Sequence, residues 1–507
     1  MGPKKLPRRD FIRQTGITAS GLLLQRHTEM MSRMPAGDML ARKQRDALYE
    51  RGTVTTYLKS KDELKYIGMP VSGQHTGTLY LSGDGRLWLW DIFNLNQEGI
   101  NPLDVEWRSG TDKKQRVRSR DGSAYLAPAR SEDIMPLLQG FAIECKYDGK
   151  TVQRRLCAQD WSEVAFEATY PVAKVIYTDA AMPVEVHMQA YSPFIPLNED
   201  DSGLPVTTFT ITIQKQTRYP LSVRIVGWLE NKTALHSATT GSHYRENQRF
   251  SQAKLSGVYC VAGNLANAKK KIEDCFDAGT LCIACLSGDA LATTDIHPAS
   301  TPELFALSDA AVTRKSAQQQ LVGTVQVSVQ VDPGKQQSAD YLISWHTPNL
   351  VIGNGKTMPD KGRYYANRFQ DAKAVAEYVT KEFTRLSADT LQWHKTWYDA
   401  TLPCWFLERS FLNISTLATT TSHRFRSGRY WAWEGVGACE GNCTHVWHYA
   451  QAPSRLFPAM ERDNRERVDL GISLMPDGGI WFRGEYAKVP AIDGQAGRVL
   501  GIYREHQ

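Results

Sequence analysis

From about Tyr66 to about Ser344, short runs rich in Val, Ile, Thr and Tyr alternate with turn residues. The run Val206-Thr-Thr-Phe-Thr-Ile-Thr-Ile213 interleaves apolar and hydroxyl side chains, the period of two that a half-buried strand requires. Gly83-Asp84-Gly85 separates two strand-like runs, Thr78 to Leu81 and Leu87 to Ile92, and predicts a tight hairpin. Many short strands at this spacing predict a large antiparallel β-sandwich. The polar stretches 232–255 and 264–276 read as loops between strands. After residue 365 the period changes. Val375, Val379, Phe383 and Leu386 fall on one face of an amphipathic helix, with Asp371 ahead of it to favour the positive end of its dipole. A second helix is predicted over Arg409 to Phe425, lined by Phe411, Leu412, Ile414, Leu417 and Ala418. A third is predicted over Thr444 to Leu470, split or kinked by Pro453 and Pro458. There is no internal repeat.

Composition keeps this picture and narrows it. The chain has 507 residues, 42% of them apolar and 22% charged. That is a globular composition, unlike disordered or disulfide-framework chains. No stretch approaches the roughly 18 consecutive apolar residues of a membrane helix. Nine cysteines are scattered without a framework spacing. Cys282 and Cys285 form a CxxC, but inside the apolar run Leu281-Cys-Ile-Ala-Cys-Leu. They read as buried strand and not as a metal or redox pair.

The formal net charge of +6 is concentrated at one end, where residues 1–26 carry +5. A nearly neutral body gives no electrostatic case for a nucleic-acid partner. Arg8-Arg9-Asp10-Phe11-Ile12-Arg13 resembles a twin-arginine export motif, and an apolar run from Ile17 to Leu24 follows it. The expectation is export to a periplasm, or a cytoplasmic protein if this end is only a solvated basic tail.

Candidate chemistry gathers late in the chain. Seven of the 13 tryptophans lie between Trp393 and Trp481. Their faces suit the C–H face of a sugar ring, although an aromatic-rich core would show the same count. In Gly428-Arg-Tyr-Trp-Ala-Trp-Glu434-Gly435, a glutamate stands between an aromatic and a glycine in a loop expected between helices. Such a carboxylate can be a nucleophile, and the glycine lets a substrate approach closely. Cys439, Cys443, His445 and His448 have a C-x3-C-x-H-x2-H spacing, for which packing and sugar contacts are favoured over a metal.

Several separated segments resemble glycoside hydrolase family 116, the group of bacterial β-glucosidases and the non-lysosomal glucosylceramidase. They are Gly68-Met-Pro-Val-Ser-Gly-Gln-His-Thr-Gly77 and Gly83-Asp-Gly-Arg-Leu-Trp-Leu-Trp-Asp-Ile-Phe-Asn94. Tyr191-Ser-Pro-Phe-Ile-Pro-Leu-Asn198 with Asp201-Ser-Gly-Leu-Pro205 is similar to another stretch. Trp397-Tyr-Asp-Ala-Thr-Leu-Pro403 and Phe411-Leu-Asn-Ile-Ser-Thr-Leu417 match the entry to the family's catalytic domain. The resemblance implies a multidomain β + α fold, an N-terminal antiparallel β-sandwich followed by an (α/α) six-hairpin barrel. It divides the chain into a leader (1–30), a linker (31–62), the sandwich (63–360), a helical linker (361–395) and a partial barrel (396–507). The barrel is expected to be incomplete, because Gly501-Ile-Tyr-Arg-Glu-His-Gln507 resembles the middle of a barrel helix.

What the resemblance implies for function is a retaining exo-β-glycosidase that hydrolyses β-glucosides or glucosylceramide-like lipids. Glu434 falls on the nucleophile motif, with Trp433 beside it. No residue matches the family's general acid/base, which is expected beyond residue 507, so this chain alone is expected to be weakly active or inactive. His445 stands where relatives carry an aspartate, and Ser72 where they often carry glycine. His448, Arg483, Glu485 and Asp493 are further candidate substrate contacts. No cofactor or metal is implied, and the partner is a β-linked glycoside or glycolipid. The rival reading is a non-catalytic carbohydrate-binding protein derived from such an enzyme.

Overall fold

The computed structural model describes residues 45–46, 48–65, 67–94, 103–106, 114–117, 136–215, 220–352, 360–432, 441–444, 452–484 and 488–506. Two antiparallel sheets dominate. The larger has ten strands, in the order Thr56–Leu58, Glu163–Thr169, Val172–Thr178, Val184–Tyr191, Val206–Lys215, Gln336–His346, Thr280–Cys285, Leu255–Asn264, His243–Gln252 and Val312–Ser316. The smaller has five, in the order Leu291–Ile296, Val322–Val331, Leu221–Glu230, Gln139–Tyr147 and Lys150–Arg155. Between them Phe141 of the small sheet meets Phe209 and Tyr341 of the large one, with ring centroids 4.9 and 5.3 Å apart. The Tyr341 hydroxyl crosses the layer to donate to the Ile225 carbonyl at 2.8 Å, so the buried phenol is satisfied.

The alternation seen in sequence has its physical counterpart here. Phe209, Ile211 and Ile213 are fully buried, while Thr210 and Thr212 face the other way, half-buried. The predicted hairpin is also present: Thr78–Ser82 pairs with Leu87–Asp91, and Leu81 faces Leu87. Gly85 sits at φ 86°, and a Cβ there would fall 1.8 Å from the Tyr177 hydroxyl. Cys282 and Cys285 lie buried on the strand Thr280–Cys285, where burial pushes the Cys285 thiol up to about 12.

The long helix Ala372–Tyr398 starts as predicted, with the Asp371 carboxylate accepting from the Ala374 amide at 2.7 Å. It lies on the outer face of the large sheet. Val375, Ala376 and Val379 share a core with Val206, Cys282 and Leu342. No helix among the described residues is long and apolar enough to cross a membrane.

Three expectations need correction. The stretch 232–255 is not all loop, because His243–Gln252 is a strand. Its inward side chains are polar but satisfied. Asn247 Nδ2 donates to the Thr294 carbonyl at 2.8 Å, and Arg245 Nε to the Thr233 carbonyl at 3.0 Å. Hydropathy could not reveal such a strand. Within the stretch read as a linker, Thr56–Leu58 is the edge strand beside Glu163–Thr169. Finally, Arg409 to Phe425 is not one helix. A helix over Cys404–Ser410 passes into a 3-10 turn over Leu412–Ala418, and Ser422–Arg424 is a strand. The Thr419 and Thr421 hydroxyls both donate to the Thr416 carbonyl, at 2.6 and 2.8 Å, and this competition ends the helical ladder.

The third predicted helix is split as expected. Its described part consists of Ala452–Leu456, Pro458–Asn464 and a π-helical turn over Arg465–Ile472. Pro458 opens its helix, where its missing N–H costs nothing. The last helix is Ile492–His506. Residues 1–30, with the leader-like motif, lie outside the described residues.

Candidate functional site

The strand Ser422–Arg424 turns back through Gly428, at φ 88°, into Tyr430–Ala432, the strand that leads into Trp433 and Glu434. Tyr430 and Trp431 are both 1% exposed. This hairpin rests on the first segments singled out in the sequence, more than three hundred positions away. Ser72 Oγ donates to the Ala418 carbonyl at 2.7 Å, 346 positions on. His75 Nδ1 pairs with Ser422 Oγ at 2.9 Å, and its ring meets Tyr430 edge-on at 5.1 Å. Thr420 donates to Asp91 Oδ2 at 2.9 Å, and its amide donates to Thr78 Oγ1 at 2.7 Å. Ser72, the departure from glycine, is thus a buried hydroxyl joining the sandwich to the later region.

At the centre of this contact is Arg363, 1% exposed. Its Nε donates to Asn94 Oδ1 and its Nη1 to the His75 carbonyl, both at 3.0 Å. Nη1 also lies 3.4 Å from His423 Nδ1. A guanidinium can only donate, so His423 accepts there and carries its proton on Nε2. Burial first, then the Arg424 and Arg363 charges, pushes His75 down to about 3. Burial, Arg363 and His75 likewise hold His423 well below the usual histidine range. Both rings are neutral beside a permanent positive charge.

The other end of the Glu434-bearing segment is tied to the same strand. The Asn442 amide donates to the Ala432 carbonyl at 2.8 Å, and the Ala432 amide donates back to Asn442 Oδ1 at 3.3 Å. Asn442 adopts φ 59°, a left-handed conformation that asparagine tolerates. Its Nδ2 reaches Asn464 Oδ1 at 3.2 Å, on the helix Pro458–Asn464. Gly441 lies against the Trp431 indole, and a Cβ there would fall 2.1 Å from the ring. Ala432 and Asn442, the described residues nearest either side of 433–441, are therefore held together. Two residues further on, the Thr444 amide donates to the Phe482 carbonyl at 2.9 Å.

Trp433, Glu434, His445, His448 and Glu485 lie outside the described residues. The structure does describe immediate chain neighbours of Trp433, of His445 and of Arg483 in adjoining backbone contacts. Ala432 accepts from Asn442, and Thr444, two residues on, donates to Phe482. Arg483 is half-buried, its guanidinium 4.7 Å from the Phe482 ring. Asp493 is exposed in the first turn of the last helix, accepting from the Gly494 amide at 2.8 Å. Cys443 is buried, and no group of three His, Cys, Asp or Glu among the described residues could hold a metal ion.

Sequence reasoning missed Asn442, Arg363 and His423. Asn442 carried one local signal, a Gly-Asn pair between aromatic-rich runs, which favours a turn. The two buried cationic or imidazole groups carried none.

Behind this hairpin the second recognised segment also docks. Asp201 accepts from Tyr378 at 2.7 Å and Asn198 at 2.8 Å, and pairs with Arg385 at 2.9 Å. Burial works to raise its carboxyl, but these partners hold it below the usual range. Arg424 stacks 3.5 Å over Tyr364 and pairs with Asp200 at 3.3 Å.

Residues 68–386 match the family profile described as beta-glucosidase 2, glycosyl-hydrolase family 116 N-term. No curated protein matches the chain. Among solved structures, a family 92 α-mannosidase of Bacteroides thetaiotaomicron is similar at 10% identity and TM-score 0.29, over 82% of this chain and 49% of that one. A family 36 α-galactosidase of Geobacillus stearothermophilus is similar at 10% identity and TM-score 0.25, over 58% and 41%. The chain spans between 33% and 49% of the length of such structures.

Proposed function

The chain belongs to glycosyl-hydrolase family 116, and from that premise we propose that it acts as a retaining exo-β-glycosidase on β-glucosides, with Glu434 as nucleophile. In this reading an ionised Glu434 attacks the anomeric carbon. The leaving oxygen takes a proton from an acid about 5–5.5 Å away, and water then releases the sugar from the glycosyl-enzyme. An (α/α) barrel carrying both carboxylates, with Trp433, His445, His448, Arg483 and Glu485 around the sugar, belongs to the same proposal. So does export by the twin-arginine-like leader.

The observation that carries the reading is the match of residues 68–386 to the family 116 profile. The pairing of Ala432 with Asn442, on either side of the segment that holds Glu434, is in keeping with it.

The test is a 2-deoxy-2-fluoro-β-glucoside with a dinitrophenolate leaving group, which departs without protonation, so the label does not require the acid. Mass mapping should find the sugar on Glu434. A label on another residue would overturn the assignment, and no label would favour the carbohydrate-binding alternative.

A further inference from the structure

A cleft of about 370 Å³ opens at one end of the five-stranded sheet. Its lining comes from residues 86–304, within the sandwich and its loops, and none from the helical region. The size is at the lower end for small-molecule sites and fits one sugar ring.

Two residues of the lining, Gln139 and Arg155, each carry a buried donor without a partner. Gln139 is 4% exposed; its Oε1 is held by the Leu87 amide at 3.0 Å, which fixes the amide and leaves Nε2 buried and unpaired. Arg155 Nε is also buried and unpaired. A buried donor of this kind costs about 1–3 kcal/mol unless something accepts from it. Arg155 has no ion-pair partner among the described residues, whereas Arg86 across the cleft is held by Asp84 at 2.8 Å.

The remaining walls set the rest of the ligand. Trp228 lines one side, its indole seated on Gly140, where a Cβ would fall 2.4 Å from the ring. Asp160 also lines the cleft, accepting from the Arg155 amide at 2.9 Å. One uncompensated guanidinium beside a carboxylate suits a single negative charge and disfavours two. A planar carboxylate can also take a guanidinium in bidentate fashion.

We infer that this cleft is a non-catalytic binding site for a monoanionic acidic sugar, a hexuronate. Its carboxylate would meet the Arg155 guanidinium, beside Gln139, and its ring would lie against Trp228.

Titration calorimetry of the full chain with D-glucuronate tests this, with D-glucose and D-glucose 6-phosphate as comparators. Glucuronate should saturate one site, with glucose at least about tenfold weaker. Arg155→Met should weaken glucuronate about ten- to a hundredfold, and Arg155→Lys by less, because charge survives while the fork is lost. Gln139→Glu keeps an acceptor for Leu87 but opposes the ligand's charge, and should also weaken binding. Glu434→Gln should bind glucuronate as the parent does, which separates this site from the proposed catalytic one. Absence of saturable glucuronate binding, equal binding of glucose, preference for the phosphate, or loss in Glu434→Gln would each overturn the inference. So would an Arg155→Met protein that keeps the parent's melting temperature and affinity.

Discussion

In the sandwich, Phe141, Phe209 and Tyr341 meet between sheets at 0–1% exposure, in a core that is almost wholly apolar. The last helices are built the other way round. Their interior holds Arg465, Glu461, Asp469 and Arg498, each 1–2% exposed, while Ile492 is 93%, Val499 62% and Leu500 59% exposed. Arg465 pairs with Glu461 and Asp469 one turn to either side and reaches Glu505 at 3.1 Å, and Arg498 reaches Asp469 at 3.1 Å. Gly501 makes room for the Arg465 guanidinium, since a Cβ there would lie 3.0 Å from it. Apolar burial is spread over many contacts, each replaceable. A buried charge network is satisfied only as a set, and losing one member strands the rest.

The sharpest way to break this comparison is a pair of single substitutions. Phe209→Ala should cost about 3–5 kcal/mol and lower the denaturant midpoint of the whole sandwich. Arg465→Met should cost a similar amount, about 3–5 kcal/mol, by leaving Glu461 and Asp469 without their cation. Its effect should be local: hydrogen exchange should quicken over residues 458–506 while the sandwich strands stay protected. Equal exchange changes in both regions for both variants would erase the distinction.

Acid comes next in size. His75, His346, His394 and His423 all have lowered pKa values, with burial the largest cause for each. The unfolded chain takes up protons near pH 6.5 that these folded imidazoles refuse. Stability is therefore fully present above about pH 6.5 and falls as pH drops through the window toward about 3. His75 alone should remove about 2 kcal/mol between pH 7 and pH 5. Burial raises Glu461 and Asp469, which protonate earlier in the folded state and so oppose this loss. Urea midpoints at pH 7 and pH 5 measure the balance. His75→Asn, a residue that tolerates φ 62°, should flatten the slope; an unchanged slope would remove His75 from the account. Smallest of all, Leu500→Lys should change stability by less than about 0.5 kcal/mol, since its side chain packs little.

How much of this was legible in the sequence follows the same division. Period-two alternation marked Val206–Lys215, and the hydrophobic face with Asp371 as its cap marked Ala372–Tyr398, because both signals are local. The strand His243–Gln252 was hidden because its buried side is polar. In the hairpin before Glu434, Ser422–Arg424 falls in the stretch read as helix and Tyr430–Ala432 in the one read as loop, since what makes them strands is pairing and threonine chemistry, not period. Of the site, the segments around Gln74, Asn94 and Asp201 were recognised, but what they touch was not. Their partners are Ser422, Arg363 and Tyr378, and no short-range pattern links residues so far apart.

That separation also sets an order in time. When the sandwich first leaves the ribosome, Ser72, His75 and Thr78 face a surface whose partners, Ala418, Ser422 and Thr420, are not yet made. At about 5–20 residues per second, the wait is on the order of ten seconds. Through that interval water must solvate the seam that the hairpin later closes. The nascent sandwich thus keeps one hydrated face open, and the arrival of residues 417–432 seals it and the candidate site together.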